Sequence, residues 1–173
     1  MITFESEYKN FNRRFFNLNN LAFFIEFTLL SPIILVFNLS ILYTIIIEAF
    51  LLIICVFIII NRSKSNIDII TFEENSIILH GETFNVQWIK SLNIKETNIQ
   101  IQINASRKGI CRATFYLKIK TKKDNYIINS FETYSDEGIM QIFNEFKKFK
   151  DEKIIIDERL VILQIQEKIE KCQ

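Results

Sequence analysis

LAFFIEFTLLSPIILVFNLSILYTIIIEAFLLIICVFIII, running from Leu21 to Ile60, is hydrocarbon with one soft interruption at Asn38-Leu39-Ser40. Its roughly 40 residues amount to about 60 Å of α-helix at ~1.5 Å per residue. A bilayer core of ~30 Å takes about 20 residues per crossing. The stretch therefore predicts two spans, with the chain entering a membrane, turning and coming back. A secretory signal peptide fits poorly, because such h-regions run about 7–15 residues and end in a small-residue cleavage site.

The flanks of this run carry the orientation. Lys9, Arg13 and Arg14 precede it, Arg62 and Lys64 follow it, and the connector Asn38-Leu39-Ser40 holds no cation. Lys and Arg favour the cytoplasmic side, so both ends are expected in the cytosol. Upstream, Phe4, Tyr8, Phe11, Phe15 and Leu18 fall at helical spacing, which predicts an amphipathic interfacial helix over residues 1–20. Each expected span holds one carboxylate, Glu26 and Glu48, and ionisable groups at such positions are candidates for function or for oligomerisation through the hairpin. Counted from Leu39, the two differ by only about four residues, or roughly 6 Å in depth. Pro32 adds a kink to the first span.

The mean composition hides this division. The chain has 173 residues, is 49% hydrophobic and has a formal net charge of +1. That charge speaks against a nucleic-acid polymer as partner. The wealth of Asn, Ile and Lys points to an AT-rich bacterial genome, hence to a bacterial inner membrane. Three glycines leave no phosphate loop, and one histidine leaves neither a metal cluster nor a Ser/His/Asp arrangement. No cofactor and no enzymatic activity are expected. His80 reads as part of a turn with Gly81. Cys55, Cys111 and Cys172 read as isolated thiols in a reducing compartment, with no disulfide framework.

Residues 61–66 read as a polar linker, and beyond it the period changes. Short strands are predicted at Ile67–Phe72, Ser76–Leu79, Phe84–Ile94, Ile99–Asn104, Arg112–Lys122 and Tyr126–Ser130, with a turn at His80-Gly81-Glu82. Ile99, Ile101 and Ile103 alternate with polar residues. Ala113, Phe115, Leu117 and Ile119 face the opposite way from Arg112, Tyr116, Lys118, Lys120 and Lys122. Ile139, Ile142, Phe143, Phe146 and Phe149 then mark an amphipathic helix. Thr133 with Asp136 resembles its capping box, and Lys147, Lys148 and Lys150 close it. Residues 151–173 read as either a helix or an extra strand.

Six or seven antiparallel strands closed by one helix, with the segment Phe84-Asn85-Val86-Gln87-Trp88-Ile89-Lys90-Ser91-Leu92 at a hairpin, resemble the bacterial pleckstrin-homology-like (bPH) domains. The resemblance covers residues 67–150 and extends to the two-helix membrane hairpin that precedes many of them. It implies a half-open barrel, mainly β with α+β character, that binds lipid or protein. The first hairpin, where phosphoinositide-binding relatives carry basic residues, carries Glu73 and Glu74 instead. The cations lie at Arg107, Lys108, Arg112, Lys118, Lys120 and Lys122, beside Tyr116. This stripe suits an anionic headgroup or an acidic partner. The expected function is a non-catalytic, membrane-anchored binding or regulatory module in the cytosol. Two alternatives stand beside it. One is an immunity protein that neutralises a toxin at the inner membrane. The other is an antiphage effector whose β-barrel senses a nucleotide through Arg112, Tyr116 and Lys118 and whose helices, with Glu26 and Glu48, disrupt the membrane.

Overall fold

In the computed structural model, which describes residues 1–30, 40–104 and 109–172, the chain opens with a strand, β1 (Ile2–Glu5). This replaces the interfacial helix expected over residues 1–20. Ile2 and Phe4 are more sheltered than Thr3 and Glu5, the period of a strand. Phe4 meets Phe72 edge-on at 6.0 Å between ring centroids. The helical spacing of the early aromatics thus spans two different elements. Of residues 1–20, Phe11–Phe15 form a short helix, α1, started by Asn10, whose side chain accepts from the Arg13 amide at 3.0 Å, and residues 18–20 open the next helix.

Two longer helices follow, α2 (Leu18–Leu30) and α3 (Ile41–Ser63). A buried polar clasp joins the start of the first to the end of the second. Fully buried Arg14 donates from Nε to the Ser63 carbonyl at 3.0 Å and from Nη1 to the Lys9 carbonyl at 2.5 Å. The Asn20 amide donates to the Arg14 carbonyl and to the Ser63 hydroxyl, both at 2.9 Å. Carbonyls at helix ends lack intrahelical donors, and here a cation and an amide supply them. Arg62 lies 5.4 Å from the Phe23 ring centroid, one turn further along. These contacts run α2 and α3 antiparallel and side by side. Among the described residues, only Ile41–Ser63 is long and apolar enough to cross a bilayer, whereas α2 is apolar but has 13 residues. The rest of the expected first span, with Pro32 and the connector Asn38-Leu39, lies outside the described residues.

No linker separates the helices from the sheets. The Lys64 amide still donates to the Ile60 carbonyl at 2.9 Å, and β2 (Ser65–Phe72) begins one residue later. With β3 (Ser76–Thr83) and β4 (Val86–Asn93) it forms a four-stranded sheet in the order β1-β2-β3-β4. The strands β5 (Asn98–Asn104), β6 (Thr114–Lys120) and β7 (Asn125–Ile128) form a three-stranded sheet in that order. Both sheets are antiparallel, and they do not close into a barrel. Their shared core holds Ile70, Phe72, Leu79, Ile99, Phe115 and Leu117, among others. The amphipathic helix α4 (Asp136–Lys150) adds Ile139, Ile142, Phe143 and Phe146 to it, as its spacing predicts. Its N-cap is Ser135, which accepts from the Gly138 amide at 3.0 Å, in place of Thr133. The tail is a helix, α5 (Ile156–Cys172), which lays Ile165 into the same core.

The chain divides into two compact units: Lys9–Ser65, and Met1–Tyr8 together with the residues from Asn66 onward. The second is wider than the expected 67–150 domain, because β1 and α5 belong to it. The pairing Ile2↔Phe72, Thr3↔Thr71, Phe4↔Ile70 and Glu5↔Ile69 joins the N-terminus to the strand that follows α3. The chain therefore leaves this unit after Tyr8 and returns to it at Asn66.

His80-Gly81-Glu82 is not a turn but the continuation of β3. The reversal falls at Phe84-Asn85, both at positive φ (50° and 64°), the two-residue geometry that suits the twist of a hairpin. Gly81 lies directly opposite Trp88. A Cβ there would overlap the indole and come within 2.5 Å of the Asn66 carbonyl oxygen. Gly81 thus serves close approach, not chain reversal. Gly81→Ala is expected to destabilise the β-sheet unit by about 1–3 kcal/mol through overpacking, read as a lowered denaturation midpoint of the full chain. An unchanged midpoint would mean that Trp88 is free to move aside.

Candidate functional site

The register of the three-stranded sheet sorts the expected basic stripe. Along β6, Phe115, Leu117 and Ile119 are buried, while Tyr116, Lys118 and Lys120 lie half-exposed on the outer face. Lys118 sits between Gln100 and Ile127, and Lys120 between Asn98 and Asn125. The Tyr116 hydroxyl donates to Gln102 at 2.8 Å. Neither Lys118 nor Lys120 makes an ion pair among the described residues. Arg112 leaves the alternation, because it ends a 3-10 turn at Ile110–Arg112 and the strand begins only at Thr114. Lys122 also lies beyond the strand, in the turn after it. Its 3.7 Å pair with Glu96 is exposed on both sides and contributes little. Arg107 and Lys108 lie outside the described residues. The stripe thus resolves into two cations and a tyrosine on one face, in a setting of amides.

A second cluster spans the seam between β4 and β7, which are the outer strands of their sheets and do not pair with each other. Trp88 and Tyr126 approach to 6.2 Å between ring centroids. Lys90 lies 5.8 Å from the first ring and 5.2 Å from the second, donates to the Tyr126 hydroxyl at 3.0 Å, and pairs with Asp124 at 3.8 Å. The hydrogen bond to Tyr126 raises the Lys90 pKa above its ordinary value. The sequence places Trp88 and Tyr126 in separate predicted strands, Phe84–Ile94 and Tyr126–Ser130, with nothing to connect them. No local spacing links residues 38 positions apart across two sheets.

The structure corrects the expectation of isolated thiols. Cys111 and Cys172 form a disulfide, with Cα atoms 5.6 Å apart and a separation of 61 positions in sequence; Cys55 is a buried free thiol on α3. The bridge ties the last turn of α5 to the 3-10 turn before β6. Lys168 supports the same end. Its ammonium pairs with Asp136 at 2.7 Å, donates to the Ala113 carbonyl at 2.9 Å and lies 5.5 Å from the Phe115 ring centroid. At the opposite end of α5, nearly buried Lys147 pairs with Glu158 at 2.9 Å and with Glu152 at 3.4 Å. Glu158 also caps the helix by accepting from the Ile155 amide at 3.0 Å. A small cleft of about 170 Å³ opens between β6, α4 and α5, lined by Thr114, Asn129, Tyr134, Asp136 and Lys168 among others. Its cation is already engaged by Asp136, and burial pushes the Tyr134 phenol far above its ordinary range.

Glu26 is exposed on α2 and Glu48 half-exposed on α3. No hydrogen bond or ion pair joins them. Their expected similarity in depth does not hold. From the Asn20–Ser63 contact, Glu26 lies six residues along α2 and Glu48 fifteen back along α3, so the levels differ by roughly 13 Å at ~1.5 Å per residue. Counting from Leu39 assumed a symmetric turn, which the observed pairing of the helices does not support. His80 is half-exposed in β3 opposite Ile89. Among the described residues no group of His, Cys, Asp and Glu is arranged to hold a metal. Searches of protein-family models, curated proteins and solved structures returned no match to this chain.

The Glu152 carboxyl is held below its ordinary pKa, first by its hydrogen bond to Lys150 and then by Lys147. A depressed carboxylate contributes stability above the unfolded pKa, and that contribution fades as pH falls through the lower folded value. Glu152→Gln is therefore expected to lower the melting temperature slightly at neutral pH and to match the parent once the medium is acidic enough to protonate Glu152 in the folded state. A deficit that persists unchanged at acid pH would assign the loss to packing.

Proposed function

We propose that this chain is a non-catalytic, membrane-anchored binding module. In this reading α2, α3 and the segment joining them form a two-span hairpin. The β-sheet unit is a pleckstrin-homology-like domain presented to the cytosol. One observation carries the reading: β1 and β2 are paired neighbours in one sheet, so the helical excursion between them starts and ends on the same side. An excursion that contains one full-length apolar helix, Ile41–Ser63, and returns to its origin needs a second crossing. The flanking cations Lys9, Arg13, Arg62 and Lys64 favour the cytosol for that side. The strand order, four then three, and the helix α4 that follows β7 support the pleckstrin-homology-like assignment.

The outer face of β6 is the surface best suited to a ligand. Lys118 and Lys120 are two positions apart on a strand, about 7 Å, and their charges are unspent. Amide side chains flank them, and these can accompany the lysines in hydrogen-bonding an anionic group. Near an anionic surface each cation contributes about 1 kcal/mol, so the pair is a weak site by itself. Confinement to a membrane raises the effective concentration of any ligand held there.

Two measurements test the reading. A fluorescent protein fused to either terminus is expected to mature, and alkaline phosphatase fused to either to stay inactive. An active phosphatase at one end alone would rule out the hairpin, and activity at both would reverse its orientation. Full-length protein in phosphatidylcholine nanodiscs is expected to bind phosphatidylglycerol vesicles at low salt. Lys118→Gln with Lys120→Gln is expected to weaken that binding roughly 30-fold, the equivalent of about 2 kcal/mol. Undiminished binding would remove this face as the site.

A further inference from the structure

We infer that the Cys111–Cys172 bridge is a reversible redox clasp that governs the order of the segment leading into the basic face. This rests on the cytosolic reading above. Disulfides in cytosolic proteins of ordinary organisms are rare, and those that occur are mostly transient, catalytic or redox-sensing. Both cysteines are exposed, which leaves the bridge open to attack by a thiolate. The bridge also sits where its loss has a defined local effect. The upstream end of α5 stays docked without it, through fully buried Ile165 and the Lys147–Glu158 pair. The last turn is tied by the disulfide and, one residue earlier, by Lys168 to Asp136 and the Ala113 carbonyl. The bridge is anchored in the turn Ile110–Arg112, directly beside Arg112 and two residues before β6, the strand that carries Tyr116, Lys118 and Lys120.

The exchange is a two-electron step. A dithiol reductant attacks one sulfur of the bridge, the S–S bond breaks through a mixed disulfide, and the reductant leaves as its own disulfide. Cys111 and Cys172 each end as a thiol carrying one proton. Oxidation by a disulfide donor or a diazene such as diamide runs the balance in reverse, with both electrons and both protons passing to the oxidant. In the reduced state the last turn of α5 and residues 109–113 gain freedom together. Arg112 is then no longer held in its fixed turn, while the core and α4 are unaffected.

The test uses the full chain. Differential alkylation with mass-spectrometric mapping is expected to find Cys111 and Cys172 as thiols in growing cells, bridged to each other after diamide, and thiols again after its removal. In phosphatidylcholine nanodiscs, reduction is expected to speed amide exchange at 109–113 and 169–172 by about tenfold or more, with 139–150 unchanged. Cys172→Ser is expected to show the fast exchange with or without reductant. A bridge already complete in untreated cells would overturn the switch, as would a pair that diamide never joins, or exchange that reduction does not alter. Labelling of intact cells with a membrane-impermeant, lysine-reactive reagent keeps the two readings apart. If Lys118 and Lys120 are labelled, the cytosolic reading has failed as well; if they are protected, only the clasp has.

Discussion

Four residue pairs, Ile2↔Phe72 to Glu5↔Ile69, decide how the rest of the molecule is organised. β1 is short and lies at the edge of its sheet, and hydrogen bonds continue its path on both sides. The Ser6 amide donates to the Asp68 carbonyl at 2.8 Å and the Glu7 amide to the Thr133 carbonyl at 2.9 Å. The N-terminus is thus stitched to the strand after the helices and to the loop before α4. With both ends fixed in one unit, the apolar segment between them becomes a closed loop in the topological sense. The polar clasp of Arg14, Asn20 and Ser63 repeats the constraint at the foot of the helices, where it brings the outgoing and returning chain together.

Much of this was legible in the sequence wherever a single period ran long enough to be read. Ile99, Ile101 and Ile103, the buried run Ala113 to Ile119, and the helix from Ile139 to Phe146 all lie where alternation or helical spacing puts them. The misreadings share one cause: a local signal was outweighed by a distant neighbour. Gly81 looked like a turn because glycine punctuates chains, but its small size accommodates Trp88 from the next strand. Phe84-Asn85 makes the real turn with a phenylalanine at positive φ, which few sequence rules anticipate. Ile-Thr-Phe-Glu is too short a strand to outvote the aromatic spacing that follows it.

The candidate site was legible in part for the same reason. The alternation of Tyr116, Lys118 and Lys120 could be read from β6 alone. The departure of Arg112 and Lys122 depended on where the strand starts and stops, and such boundaries are weakly encoded. The disulfide needed one more fact. Ile165, Lys168, Ile169 and Cys172 fall at helical spacing and place Cys172 on the docked side of α5, but only once that segment is known to be a helix. Lys147 on α4 pairs with Glu158 on α5, so the two helices are held by an ion pair as well as by apolar contact, while Lys150 pairs with Glu152 in the loop between them.

The position of β1 also has a consequence in time. It is synthesised before β2, its one neighbour in the sheet among the described residues, and the helices α1, α2 and α3 are made between the two. During synthesis Ile2–Glu5 must wait, unpaired, while some sixty residues of mostly apolar chain are produced and find their place. The four-stranded sheet can be completed only after that chain has come back to where it started. Its folding is therefore conditional on the excursion, and a molecule whose helices failed to return would be left with an open edge on β2 and an exposed Phe72, a form that cellular quality control can distinguish from the finished one.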